Sequence, residues 1–163
     1  MYLATKLKAR KSNLILIKGA KMSKKVALVT GANRGIGLET CRQLAVKQFR
    51  VILTARNQEV GLQAADQLSS EGYDVKFHSC DVMNDVSVEA LKGFVVSKYK
   101  RLDVLVNNAG VLPDNKVEGV FEDTCLYADT SPEEAVKDII WLSTLPSDGP
   151  TGKFFRNGQE IAW

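Results

Sequence analysis

Three glycines carry the first chemical signal. Gly31, Gly35 and Gly37 lie in "TGANRGIG", residues 30–37, directly after the apolar run Val26 to Thr30. Directly behind them, Leu38, Cys41, Leu44 and Ala45 fall on one helical face. A strand that turns through glycine into a helix makes an anion site. Gly31 permits the tight turn, Gly35 lets the backbone approach a phosphate, and Gly37 lets the helix pack close to the sheet. The helix aims its unpaired N–H groups and positive dipole end at the anion. Asn33, Arg34 and Ile36 belong to the same turn and come to the ligand with it. Turn glycines in general mark only a turn; the strand before and the helix after raise this one above that reading.

Other chemistries find little footing. His78 is the single histidine, which excludes a His-based zinc cluster or catalytic triad; it reads as an ordinary strand residue. Cys41, Cys80 and Cys125 are scattered without C-x-x-C spacing, so no metal site is expected and a reducing, cytoplasmic setting is. No apolar run is long enough to span a bilayer, so no membrane partner is expected. Lys6, Lys8, Arg10, Lys11, Lys18 and Lys21 lie in an acid-free stretch at residues 1–21. Removing those six charges from the net +3 leaves the body at −3, which gives nucleic-acid binding no support. The basic stretch reads either as a targeting peptide or as a disordered extension upstream of "MSKKVALVTG", which resembles a natural amino terminus at Met22.

The elements that must position the turn follow from periodicity. Arg50 to Ala55 reads as a second strand and residues 58–71 as a helix with Gly61, Ala64, Ala65 and Leu68 inward. "YDVKFHSCDV" holds a third strand, residues 85–99 a helix with Val88, Leu91, Phe94 and Val95 inward, and "LDVLVNN" a fourth strand. Strands alternating with such helices predict an α/β fold: a Rossmann-like, doubly wound parallel sheet of order 3-2-1-4. Ligands of such sheets bind beyond the carboxyl ends of the strands, where the glycine turn lies.

"TGANRGIG" at 30–37, "CDV" at 80–82 and "NNAG" at 107–110 together resemble the short-chain dehydrogenase/reductase family. "LTARN" at 53–57 and the tail from Asp129, "DTSPEEAVKDIIWLSTLPSDGPTGKFFRNGQEIAW", narrow the resemblance to carbonyl-reductase-like members. It covers the sequence from Met22 onward as one NADP-binding domain, residues 22–163, in two blocks, 22–126 and 128–163. The resemblance implies that Asp81 holds the adenine amino group with Val82 against the ring. It also implies that Asn108, Ala109 and Gly110 line the adenosine ribose and that Asn107 ties the sheet together. The alternative for Asp81 is a helix cap or turn aspartate. Arg56 stands where an acidic residue would hold the ribose 2′-OH of NAD; an arginine accepts a 2′-phosphate instead. Arg34 reaches the same phosphate from the turn, and a guanidinium fork suits it. Unless both are merely solvated surface arginines, the expected cofactor is NADP(H).

The family's catalytic signature is a serine followed by Tyr-x-x-x-Lys on a helix, both after N-N-A-G. A lysine on the tyrosine's helical face lowers a phenol pKa of about 10 toward the working range. The only tyrosine after Gly110 is Tyr127, and Ser131 stands four residues on. Tyr73 and Tyr99 are followed at that spacing by Phe77 and Asp103. The sequence therefore resembles a carbonyl reductase with a block missing between Leu126 and Ala128, and no catalytic residue is assigned. Tyr2 and Lys6 have the right spacing but precede the first strand, a weak decoy.

In the tail, Ser131 reads as a helix cap, Pro132 as the first helical residue, and Val136, Ile139 and Ile140 as an inward stripe over 132–145. "GKFF" reads as a C-terminal strand docked beside strand 4, giving order 3-2-1-4-5. Helices lost with the missing block would leave apolar surface, which Leu14 to Ile17 would be placed to patch. Three functions follow: an NADP(H)-binding, catalytically impaired relative of the reductases; an active NADPH-dependent reductase of aldehydes or ketones; or a deletion product without function. A carbonyl substrate is expected only in the second case, and the oligomeric state is open.

Overall fold

The computed structural model describes residues 3–5, 23–110 and 130–162. The strands are Leu3–Thr5 (β1), Val26–Val29 (β2), Arg50–Ala55 (β3), Val75–Ser79 (β4) and Val104–Asn107 (β5). The helices between them are Gly35–Val46 (α1), Gln58–Ser70 (α2) and Asp85–Tyr99 (α3). Pro132–Ala135 (α4), Lys137–Thr144 (α5), Phe154–Arg156 (β6) and Gln159–Ile161 (β7) follow. The four parallel strands run β4-β3-β2-β5, which is the expected 3-2-1-4 order.

Every residue of β2 is buried because helices cover both sheet faces, and alternate residues feed two cores. Ala27, Val29, Val51 and Leu53 pack with Cys41 and Leu44 of α1, Leu68 of α2, and Val136, Ile139 and Ile140 of the tail. Val26, Leu28 and Ile52 pack with Leu91 and Val95 of α3. The inward stripe expected of the tail is therefore present, though its helix breaks at Val136. Ser131 caps α4 as expected, its hydroxyl accepting the Glu134 N–H at 3.3 Å.

Three expectations change. The place beside β5 is not taken by the C-terminal strand. β1 holds it, antiparallel, with Leu3 opposite Asn107 and Thr5 opposite Leu105. β6 instead pairs with β7 in a separate hairpin. Asn157 and Gly158, at φ +53° and +72°, form a two-residue loop of the kind that matches strand twist. β6 thus pairs with its neighbour in sequence rather than with the edge of the parallel sheet. Secondly, Leu3–Thr5 lies in the stretch expected to be disordered; the rest of residues 1–21, Leu14 to Ile17 included, is outside the described residues. Thirdly, Val88 is not inward but 40% exposed. Among the described elements α3 is the only helix on its face, so neighbours bury Leu91 and Val95 and partly cover Phe94, while Val86 is 80% and Val96 61% exposed.

Candidate cofactor site

Where β2 ends, the backbone turns through Thr30 and Gly31 into α1. Gly31 has φ +61° and Gly35 +55°, values that residues with a Cβ resist. A Cβ on Gly31 would lie 2.8 Å from the Ala109 Cα, whereas one on Gly35 would meet nothing within 4 Å. Gly35 thus faces open space, as an approach point for a ligand requires. A Cβ on Gly37 would lie 2.8 Å from both the Ala32 Cα and the Gly31 carbonyl oxygen, and 2.5 Å from Asn108 Nδ2. The closeness expected of Gly37 is therefore to the turn itself and to the end of β5.

Thr30 and Asn108 lock that arrangement. The buried Thr30 hydroxyl accepts the N–H groups of Asn108 at 3.1 Å and Ala109 at 3.0 Å. Asn108 Nδ2 donates to the carbonyls of Thr30 and Gly31 at 3.0 and 3.1 Å. The tie to the sheet expected of Asn107 is made by its neighbour; Asn107 itself is exposed at the end of β5.

A cavity of about 480 Å³ opens at the carboxyl ends of the parallel strands. The glycine turn supplies Gly31, Asn33, Arg34, Gly35, Ile36 and Gly37. The end of β3 adds Arg56, the segment after β4 adds Asp81 and Val82, and the segment after β5 adds Asn108, Ala109 and Gly110. All the expected cofactor residues thus line one space. Ala55, Cys80 and Met83 line it too and were not foreseen; each adjoins an expected residue, which was the available signal.

Arg34 stands at the N-cap of α1 but makes no side-chain capping hydrogen bond, and the first turn of α1 holds no acid. By contrast α2 and α3 are capped by Asn57 and Asn84. The first N–H groups of α1 therefore have neither an intrahelical partner nor a capping residue. Arg34 and Arg56 are exposed, and neither has an ion-pair partner among the described residues. Asp81 is a turn aspartate, its Oδ1 accepting the Met83 N–H at 3.0 Å while its own N–H donates to Ser87 Oγ. The site therefore offers two free guanidiniums, a helix N-terminus and one carboxylate: a surface for a phosphorylated ligand with an amino-bearing ring.

No tyrosine or histidine is among the cavity's lining residues. His78 sits in β4, its Nδ1 2.7 Å from the Ser79 carbonyl oxygen and its ring 4.7 Å from that of Phe94. Tyr99 closes α3, where burial pushes its phenol above the ordinary value and Arg50 partly offsets that. Tyr2, Lys6, Tyr127 and the Leu126–Ala128 junction lie outside the described residues. Among the described residues no cluster of three His, Cys, Asp or Glu is placed to hold a metal. No described helix is long and apolar enough to cross a membrane.

Fold and turn together define a dinucleotide-binding class, and comparison with known proteins makes it specific. The short chain dehydrogenase family model matches residues 25–137, and the protein belongs to that family. Over 89 residues it is 53% identical to (-)-isopiperitenone reductase of Mentha piperita, covering 52% of this sequence and 28% of that protein. Over 90 residues it is 48% identical to carbonyl reductase (NADPH) 1 of Mus musculus, covering 55% of this sequence and 32% of that one. Among solved structures, an actinorhodin polyketide ketoreductase with NADPH aligns at TM-score 0.55 and 38% identity, over 63% of this sequence and 40% of its own. Menthone neomenthol reductase from Mentha piperita aligns at TM-score 0.53 and 45% identity, over 55% of this sequence and 32% of its own. The protein spans about a third of the length of the curated relatives it matches.

Proposed function

We propose that this is an NADP(H)-binding protein of the carbonyl-reductase type, impaired in catalysis. The observation that carries the reading is the pair Arg34 and Arg56, guanidiniums without an ion-pair partner among the described residues, on one cavity whose wall is the glycine turn. Gly35 leaves backbone room for a pyrophosphate, the first turn of α1 supplies N–H donors, and the two arginines suit a 2′-phosphate. Asp81 keeps an oxygen for an adenine amino group, and Val82 lies beside it. The related proteins named for NADPH support the same choice. NADPH supplies a hydride to a carbonyl carbon. The Tyr-x-x-x-Lys pair that would place a proton on the carbonyl oxygen does not occur in sequence after Gly110, where Tyr127 is followed four residues on by Ser131. The scattered cysteines favour a cytoplasmic setting.

The test is calorimetric titration with NADPH and NADH, beside an assay of NADPH consumption over aldehydes, quinones and ketones. Tighter binding of NADPH with no turnover at reductase-like rates is expected. Loss of one placed oxyanion donor commonly costs on the order of 10²–10³ in rate, and the set acts non-additively. Robust turnover abolished by Tyr2→Phe would make Tyr2 and Lys6 the catalytic pair. Turnover surviving that change would reveal another proton donor. Absence of both binding and cooperative unfolding would identify a deletion product.

A further inference from the structure

The C-terminal hairpin carries a reactive dipeptide that the cofactor site does not use. Its loop is Asn157–Gly158, both exposed and both at positive φ. Asn-Gly suits such a turn. It is also the sequence in which an asparagine carboxamide is most open to attack by the backbone, because glycine has no bulk to hinder its own nitrogen. Here that nitrogen is engaged. The Gly158 N–H donates to Asp138 Oδ1 at 3.0 Å, and the Asn157 N–H donates to Asp138 Oδ2 at 2.7 Å. Asp138 lies in the first turn of α5. A second contact, Phe155 edge-on to Trp141 at 5.2 Å, holds the hairpin to the same helix. Asp138 and Asn157 also line an open cleft of about 420 Å³, so solvent reaches the loop.

We propose that Asn157 is a deamidation site gated by Asp138, which converts only when the hairpin leaves α5. Hydroxide takes the Gly158 amide proton as water. The nitrogen then attacks the Cγ carbonyl carbon of Asn157, and a new N–Cγ bond closes a five-membered succinimide. The Cγ–Nδ2 bond breaks as the departing nitrogen takes a proton from water, so that ammonia leaves and hydroxide is returned. Water opens the ring at either carbonyl, leaving aspartate or isoaspartate; no electrons are exchanged with any partner. Docking blocks the first step twice: the Asp138 carboxylate holds the proton, and its charge opposes the amide anion that proton loss creates. The product reinforces undocking. A carboxylate at 157 shares a cleft with that of Asp138, and isoaspartate lengthens the backbone of a loop that must keep Arg156 opposite Gln159. The dipeptide thus records, irreversibly, how often the hairpin has opened and uncovered Trp141 and Phe155.

The experiment incubates the full-length protein in mildly alkaline buffer and follows residue 157 by mass and isoaspartate content after digestion with a glutamate-specific protease. A free peptide of residues 153–162 is the undocked reference. The wild type is expected to convert more slowly than the peptide by about tenfold or more, the weight of charge-assisted bonds to both amides. Asp138→Ala should approach the peptide rate. Phe155→Ala, which loosens docking without touching the carboxylate, should convert at an intermediate rate, and it decides the matter should Asp138→Ala fail to fold by circular dichroism. Gly158→Ala should suppress conversion throughout. A wild-type rate equal to the peptide's, or folded Asp138→Ala and Phe155→Ala proteins no faster than wild type, overturns the proposal.

Discussion

Two glycines of one turn should fail in different ways when given a methyl group. Gly37→Ala drives a Cβ against the Ala32 Cα and the Gly31 carbonyl, both backbone at 2.8 Å, and against Asn108 Nδ2. Backbone cannot yield, so Asn108 must move and lose its bonds to Thr30 and Gly31. Two such bonds are worth about 1–3 kcal/mol together, and forced packing adds about 1–3 kcal/mol. Gly35→Ala meets no atom, and its only structural penalty is a left-handed backbone. That costs about 1–2 kcal/mol, offset by about 0.4–1 kcal/mol from a less free unfolded state. Urea unfolding with a slope of about 2 kcal/mol/M should therefore lower the midpoint by about 1–3 M for Gly37→Ala and by about 0.8 M or less for Gly35→Ala. NADPH titration should reverse the order among molecules that remain folded, because the Gly35 methyl occupies the space left for the pyrophosphate. Equal midpoint losses, or a neutral Gly37→Ala, would refute this account of the turn.

Arg56→Ala should weaken NADPH by on the order of 2–3 kcal/mol and leave NADH nearly unchanged, the loss of a charge-assisted contact to the 2′-phosphate alone; equal losses measured by calorimetry would sink that assignment. Cys41 is fully buried on the inner face of α1, and burial pushes its thiol far above the ordinary value. A raised pKa means the folded state holds a proton that the unfolded state releases, so its stabilisation is complete below about pH 8.5 and falls at about 1.4 kcal/mol per pH unit above that. Urea midpoints measured from neutral to alkaline pH should fall more steeply for wild type than for Cys41→Ala, and parallel slopes would contradict it.

Much of this was legible in the sequence because the signals are local. Strand and helix periods, the run of glycines at 31, 35 and 37, and the Ser131–Pro132 helix start each depend on neighbours a few residues away. From these the alternation of elements, the 3-2-1-4 order and the gathering of Arg34, Arg56, Asp81 and Asn108 at one end of the sheet could be read. The family motifs added the nucleotide class. What escaped depends on contacts between distant segments. Which of Asn107 and Asn108 ties the turn down is set by how β5 registers on β2, with Val106 opposite Val29, since successive residues of a strand point to opposite faces. Val88 satisfies the helical pattern, yet stands exposed for want of a neighbouring helix among the described elements. The edge of β5 will accept any extended backbone. Leu3–Thr5 takes it from the other end of the sequence, while Phe154–Arg156 is captured first by the two-residue turn beside it. Local pattern thus determined what each segment becomes, and competition for the sheet edge, which no local pattern encodes, decided where the terminal segments go.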